Sequence, residues 1–122
     1  MAMRGIRGAI TVEEDKKELI WLAARNLVTE ILSQNELRAE NIGAIIFSMT
    51  GDLKAGFPSS AVRKLPKLRL VPVFDTLEPD IEDSLPKCIR VLILAEINRE
   101  QSKIHHIYLG GAKNLRPDLD QK

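Results

Sequence analysis

The run Cys88-Ile89-Arg90-Val91-Leu92-Ile93-Leu94-Ala95-Glu96-Ile97 constrains this chain more than any other segment, because its alternation suits only an extended strand. Ile89, Val91, Ile93, Ala95 and Ile97 fall on one face, and Cys88, Arg90, Leu92, Leu94 and Glu96 on the other. The second face poses a chemical problem. A guanidinium beside Leu92 and Leu94 is costly to remove from water unless it finds a partner, so Arg90 must meet an anion. That anion is either a structural carboxylate, with Glu78 and Glu96 as candidates, or a ligand, and the pattern leaves the two open.

The remaining segments build around this strand. Arg4 to Val12 reads as a first strand, followed at once by a helix start. Thr11 and Glu14 have the spacing of a capping box, and Glu13, Glu14 and Asp15 supply the negative charge that a helix N-terminus favours. Ile20, Ala23, Ala24, Leu27, Val28, Ile31 and Leu32 then form one apolar stripe at helical spacing, to about Ser33. Ala44 to Phe47 is a short apolar run, expected to be a strand buried on both faces at the centre of the sheet. Phe57 to Arg63 reads as a short helix opened by Pro58 and stopped by Pro66. Leu68 to Phe74 is expected as a strand, with Pro72 placing it at an edge or a bulge. Pro79 to Pro86 reads as an exposed loop, and Ile104 to Leu109 as a last strand broken by Gly110 and Gly111. The tail from Leu115 begins with little to hold it.

These elements give an α+β fold, a mixed five-stranded sheet with one long and one short helix, in a single domain over residues 1–122. One long helix covers only part of one sheet face. The other face is left to be buried by further subunits, so the chain is expected to form an oligomer.

Composition narrows the function. A net charge of +1 offers no broad basic surface, which removes the electrostatic footprint of nucleic-acid binding. The N-terminus lacks the apolar core of a secretion signal, and no stretch has the roughly 20 apolar residues that span a bilayer. With one cysteine, Cys88, no internal disulfide can form, and a cytoplasmic protein is expected. Adjacent His105 and His106 would face opposite sides of a strand, so they make a poor metal pair. Ser59 and Ser60 have no histidine nearby in the sequence and suit a helix start better than a nucleophile. Gly110-Gly111 lacks the spaced glycines and lysine of a phosphate loop. What remains is a set of arginines (Arg4, Arg7, Arg63, Arg90 and Arg116), the carboxylates Asp75 and Glu78, and Tyr108. Arg4 and Arg7 point to opposite faces of the first strand, so only one can share a pocket. Such an inventory suits anion binding, or a reaction driven by electrostatics alone.

Six short motifs then carry a resemblance. They are Arg4-Gly5-Ile6-Arg7-Gly8-Ala9, Phe57-Pro58-Ser59-Ser60-Ala61-Val62-Arg63, Val71-Pro72-Val73, Lys87-Cys88-Ile89-Arg90-Val91, His106-Ile107-Tyr108-Leu109 and Leu115-Arg116-Pro117-Asp118-Leu119. In this order, across nearly the whole chain, they resemble the monofunctional, trimeric chorismate mutases. The resemblance implies a homotrimer with a barrel-like core, a pseudo-α/β-barrel, and active sites between neighbouring subunits. It also implies conversion of chorismate to prephenate by a [3,3] sigmatropic rearrangement, without cofactor or metal. By that resemblance Arg90 supplies a cation to the breaking ether bond, Arg7 and Tyr108 hold the side-chain carboxylate, and Glu78 accepts from the ring hydroxyl. Phe57, Val73 and Phe74 would shape the cavity wall, while Arg63 and the mobile tail over 115–122, with Leu115 and Arg116, would close its mouth. Asp75 stands where better-known members carry cysteine beside the substrate hydroxyl, and could still accept from it; Ser60 replaces a lysine at the cleft entrance. The alternatives are a non-catalytic trimeric module that binds an anionic metabolite at subunit interfaces, and a small hydrolase or deaminase on a similar trimer.

Overall fold

The computed structural model describes residues 2–113. Its main elements are β1 (Ala2–Thr11), α1 (Lys17–Gln34), β2 (Ile42–Met49), α2 (Pro58–Arg63), β3 (Val73–Leu77), β4 (Cys88–Ile97) and β5 (Ile107–Leu109). The strands form one mixed sheet in the order β3-β2-β4-β1-β5. β4 runs antiparallel to both neighbours, β1 and β2, while the outer pairs β1–β5 and β2–β3 are parallel. The two helices with the mixed five-stranded sheet are the α+β fold that the sequence predicts.

Both helices lie on one side. Ile20, Ala24, Leu27, Val28 and Ile31 of α1 are fully buried, as are Ile45 and Phe47 of β2 and Ile89 and Ile93 of β4. This is the core, and burying each of its Ile, Leu, Val and Phe side chains contributes roughly 1.5–3 kcal/mol. Gly8 lets the helix come down onto the sheet. A Cβ there would sit 2.8 Å from Ile31 Cδ1 and 3.0 Å from both Leu27 Cδ1 and the Ile107 carbonyl.

Several expectations need correction. The central strand is β4, not β2, because β4 alone pairs with the two long strands on either side of it. β2 is buried on one face only, with Ala44, Ile46 and Ser48 half-buried on the other, since the helices cover a single side. Thr11 does not cap α1. The helix begins at Lys17, its N-cap Lys16 makes no side-chain cap, and Thr11 Oγ1 accepts from Gly111 N at 2.7 Å. Residues 12–16 are used to turn from sheet to helix layer, and Asp15 there accepts from Lys54 N and Ala55 N at 2.8 and 2.9 Å. β3 starts at Val73 rather than Leu68, because Pro66–Leu68 forms a 3-10 turn that buries Leu68. Pro72 precedes it at the sheet edge, and its carbonyl accepts from Ile45 N at 2.9 Å. β5 is likewise shorter than expected. Buried Asn35 takes the backbone of His105, accepting from its N at 2.8 Å and donating to its carbonyl at 2.9 Å, so neither histidine lies in a strand. Among the described residues no helix is long and apolar enough to cross a membrane.

Gly8→Ala is expected to destabilise the fold by about 1–3 kcal/mol, the usual cost of overpacking a well-filled core, measured by urea unfolding. An unchanged unfolding midpoint would show that α1 does not rest on Gly8.

Candidate active site

Strand register assembles the site. Tyr108 pairs with Ala9, Ala9 with Arg90, Arg90 with Ser48, and Ser48 with Thr76, so these five form one row across the sheet. The row lies on the face away from the helices, since the alternate residues of β4 and β2 are the buried ones. The next row on that face is Arg7, Leu92, Ile46 and Phe74. Leu92 is 36% exposed and Phe74 67% exposed, so the helix-free face carries an apolar patch around its charges.

A cavity of about 420 Å³ opens there, lined by Arg7, Ala9, Ser48, Thr76, Glu78, Arg90 and Tyr108 with Ile46 and Leu92. Arg90 pairs with Glu78 rather than with Glu96, but at 3.7 Å from Nε to Oε2 the contact is too long for a hydrogen bond. The other Glu78 oxygen accepts from Ser48 Oγ. Arg90 Nε and the Tyr108 hydroxyl are both buried and make no hydrogen bond among the described residues. Two such donors in one cavity are a strong pointer to a ligand with acceptor oxygens, because buried polar groups are otherwise satisfied. Trp21 Nε1 is also unsatisfied, but it belongs to the helix layer, where Lys64 lies 3.9 Å from the ring centroid. Arg7 lines the cavity by its place in β1, and Arg4 is turned away to donate to the Arg99 carbonyl at 2.9 Å.

The start of β4 is pinned just ahead of Arg90. Lys87 occupies the left-handed region (φ 47°), and its backbone N donates to both Asp52 carboxylate oxygens at 3.0 and 3.2 Å. Asp52 also accepts from Thr50 Oγ1 at 2.5 Å, and Cys88 N donates to that same hydroxyl at 3.0 Å. The Thr50 hydrogen bond, aided by Lys87, holds the Asp52 carboxyl below the ordinary carboxylate range. Cys88 is fully buried against Ala9 and Ala112, and burial pushes its thiol pKa up, which makes it a packing residue rather than a nucleophile.

The other expected site residues gather elsewhere. Phe57 is 62% exposed at the start of α2. Val73 and Asp75 pair with Ile45 and Phe47, which puts them on the helix side of the sheet, opposite Arg90. Asp75 is occupied with α2: it accepts from Ser59 N at 3.1 Å and from Ser59 Oγ. Arg63 in turn donates to Ser59 Oγ at 2.7 Å. One chain therefore holds two groups, a cavity group around Arg90 and an edge group on α2 and β3, and does not bring them together. Leu115, Arg116 and the tail lie outside the described residues. Ser48, Thr76 and Asp52 escaped the sequence reading. Ser48 and Thr76 could have been found by carrying the alternation through β2 and β3, whereas nothing in the sequence pairs Asp52 with Lys87.

Because Asp52 has its pKa lowered in the folded state, it stabilises the protein above the ordinary carboxylate pKa of about 3.9, and that contribution fades as pH falls below it. Asp52→Asn should therefore lower Tm at neutral pH, with the gap to the original chain closing in acid. A gap independent of pH would contradict the Asp52 assignment.

Residues 3–119 match the family described as Chorismate mutase type I. Chorismate mutase AroH of Thermus thermophilus is 44% identical over 119 residues, covering 97% of each chain. Chorismate mutase AroH of Bacillus subtilis (strain 168) is 41% identical over 119 residues, 98% of this chain and 94% of the relative. Among solved structures, a chorismate mutase from Clostridium thermocellum matches with a TM-score of 0.88 and 35% identity, over 91% of this chain and 98% of that one. The motifs, the sheet order and these near-full-length likenesses agree, and the chain belongs to the type I chorismate mutase family.

Proposed function

We infer that this chain converts chorismate to prephenate, the step toward phenylalanine and tyrosine, in the cavity around Arg90. The observation that carries the site is the buried Arg90 Nε–H without a hydrogen-bond acceptor, beside the equally unsatisfied Tyr108 hydroxyl. Chorismate is a dianion whose enolpyruvyl arm must fold over the ring before it can react. Holding that compact conformer removes much of the entropic part of the barrier. Arg7 and Tyr108 suit the side-chain carboxylate, Arg7 as a planar guanidinium and Tyr108 as a neutral donor. As the ether C–O bond breaks and the new C–C bond forms, negative charge grows on the ether oxygen. Arg90, fixed in the middle of the sheet, is aimed to stabilise that charge more than it stabilises the substrate. Glu78, held by Ser48, accepts from the ring hydroxyl. The substrate keeps all its atoms, and no nucleophile or external proton is needed.

The reading extends to assembly. The apolar face bearing Leu92, Ile46 and Phe74 is suited to burial against other copies, and the edge group of Phe57, Arg63, Val73 and Asp75 lies apart from the cavity group. A homotrimer in which α2 and β3 of one copy flank the Arg90 cavity of the next unites them.

Arg90→Ala is expected to lower kcat by about 10²–10³, the usual loss when one preorganised donor is removed. Arg90→Lys should also be poor, since lysine lacks the planar fork. Both are read from the loss of chorismate absorbance and the appearance of prephenate, with a metal chelator present. Near-normal turnover in either variant overturns the role of Arg90. Binding without turnover in the unaltered protein would favour a metabolite-sensing module, and activity abolished by the chelator would contradict a cofactor-free reaction.

A further inference from the structure

The contact between Arg90 and Glu78 stops short. A charge-assisted hydrogen bond between guanidinium and carboxylate settles at about 2.7–2.9 Å, yet Arg90 Nε stands 3.7 Å from Glu78 Oε2 in a half-buried setting where closer approach is strongly favoured. Ser48 engages the other oxygen of that carboxylate. Its hydroxyl donates to Glu78 Oε1, and it is the register partner of Arg90 across β2 and β4, so it holds one carboxylate oxygen at a place the sheet backbone sets beside the guanidinium. The main chain of Glu78 is held as well, its N donating to the Met49 carbonyl at 2.8 Å.

We propose that Ser48 is a positioning residue for the mutase reaction: it tethers Glu78 away from Arg90, so that the Nε–H of Arg90 stays available to the substrate. The proposal rests on the mutase reading for its kinetic consequence, though not for the tether itself. Without the hydroxyl, Glu78 is free to swing through the remaining gap and form a direct bond to Nε. The cation would then enter the reaction already spent on a carboxylate, and its extra grip on the developing ether charge would fall. Ser48 thereby sets two things at once: which oxygen of Glu78 faces the ring hydroxyl, and how much of Arg90 remains uncommitted.

The test is Ser48→Ala in the full chain, with Ser48→Thr, which keeps the hydroxyl, as its control. Ser48→Ala should lower kcat by about 10- to 100-fold, the range for a hydrogen bond to a charged group, with a much smaller change in KM. Ser48→Thr should recover most of the turnover. In a Glu78→Ala background, removing the Ser48 hydroxyl should cost little more, because the carboxylate it restrains is gone. Heteronuclear NMR supplies a readout independent of turnover. The Arg90 Nε–H resonance, assigned by its loss in Arg90→Lys, should move downfield in Ser48→Ala and stay in place in Ser48→Thr. An unmoved resonance in Ser48→Ala, or an equal kcat loss with and without Glu78, overturns the tether. If the unaltered protein does not turn over chorismate, the mutase reading fails and the resonance alone still decides whether Ser48 restrains Glu78.

Discussion

Arg90 sits near the start of the middle strand with leucines two and four residues beyond it on the same face, and the molecule must keep that charge hydrated, paired or bound. It does none of these completely. Glu78 compensates the charge from 3.7 Å without bonding to Nε, and Ser48 occupies its other carboxylate oxygen. The row from Tyr108 to Thr76, with the small Ala9 within it, and the pinned bend at Lys87 surround one guanidinium fixed in the sheet with a donor left unspent. A rigid strand suits this purpose better than a loop, because a donor that need not reorganise during the reaction stabilises developing charge most effectively.

The division of the sheet into two faces explains the rest of the architecture. One face is closed by α1, which Gly8 allows to approach directly, and its packing is that of an ordinary core. The other carries the charged row among apolar neighbours. A surface of that kind is a poor end state for an isolated chain, and the proposed trimer both buries it and brings the edge residues of α2 and β3 to the cavity. On this view the oligomer is part of the active site rather than an addition to it.

Periodicity and residue chemistry made much of this legible. The alternation of residues 88–97 predicted β4 to its boundaries, and the apolar stripe predicted α1, because long regular patterns have few alternative uses. Short elements were harder. The apparent capping box at Thr11 failed since that hydroxyl is engaged by Gly111, and β5 lost its first half to Asn35, both contacts between residues far apart in sequence. Within the site, Arg90 announced itself as a charge on an apolar face, and the geometry sets Glu78 3.7 Å from its Nε without a hydrogen bond. Arg7, Glu78 and Tyr108 acquired roles from the family motifs. Asp75, expected beside the substrate hydroxyl, lies on the helix side of its own chain and accepts from Ser59.

The central claim is that a folded dicarboxylate binds with its ether oxygen on Arg90 and its cavity completed by a neighbouring copy. A crystal structure with a bicyclic dicarboxylate that mimics the transition state tests it most directly. The account predicts Arg90 Nε within hydrogen-bond distance of the ether oxygen, Arg7 and Tyr108 on one carboxylate, and Phe57 and Arg63 of an adjacent copy at the cavity mouth. A ligand held wholly within one copy, or bound with Arg90 still facing only Glu78, would contradict it.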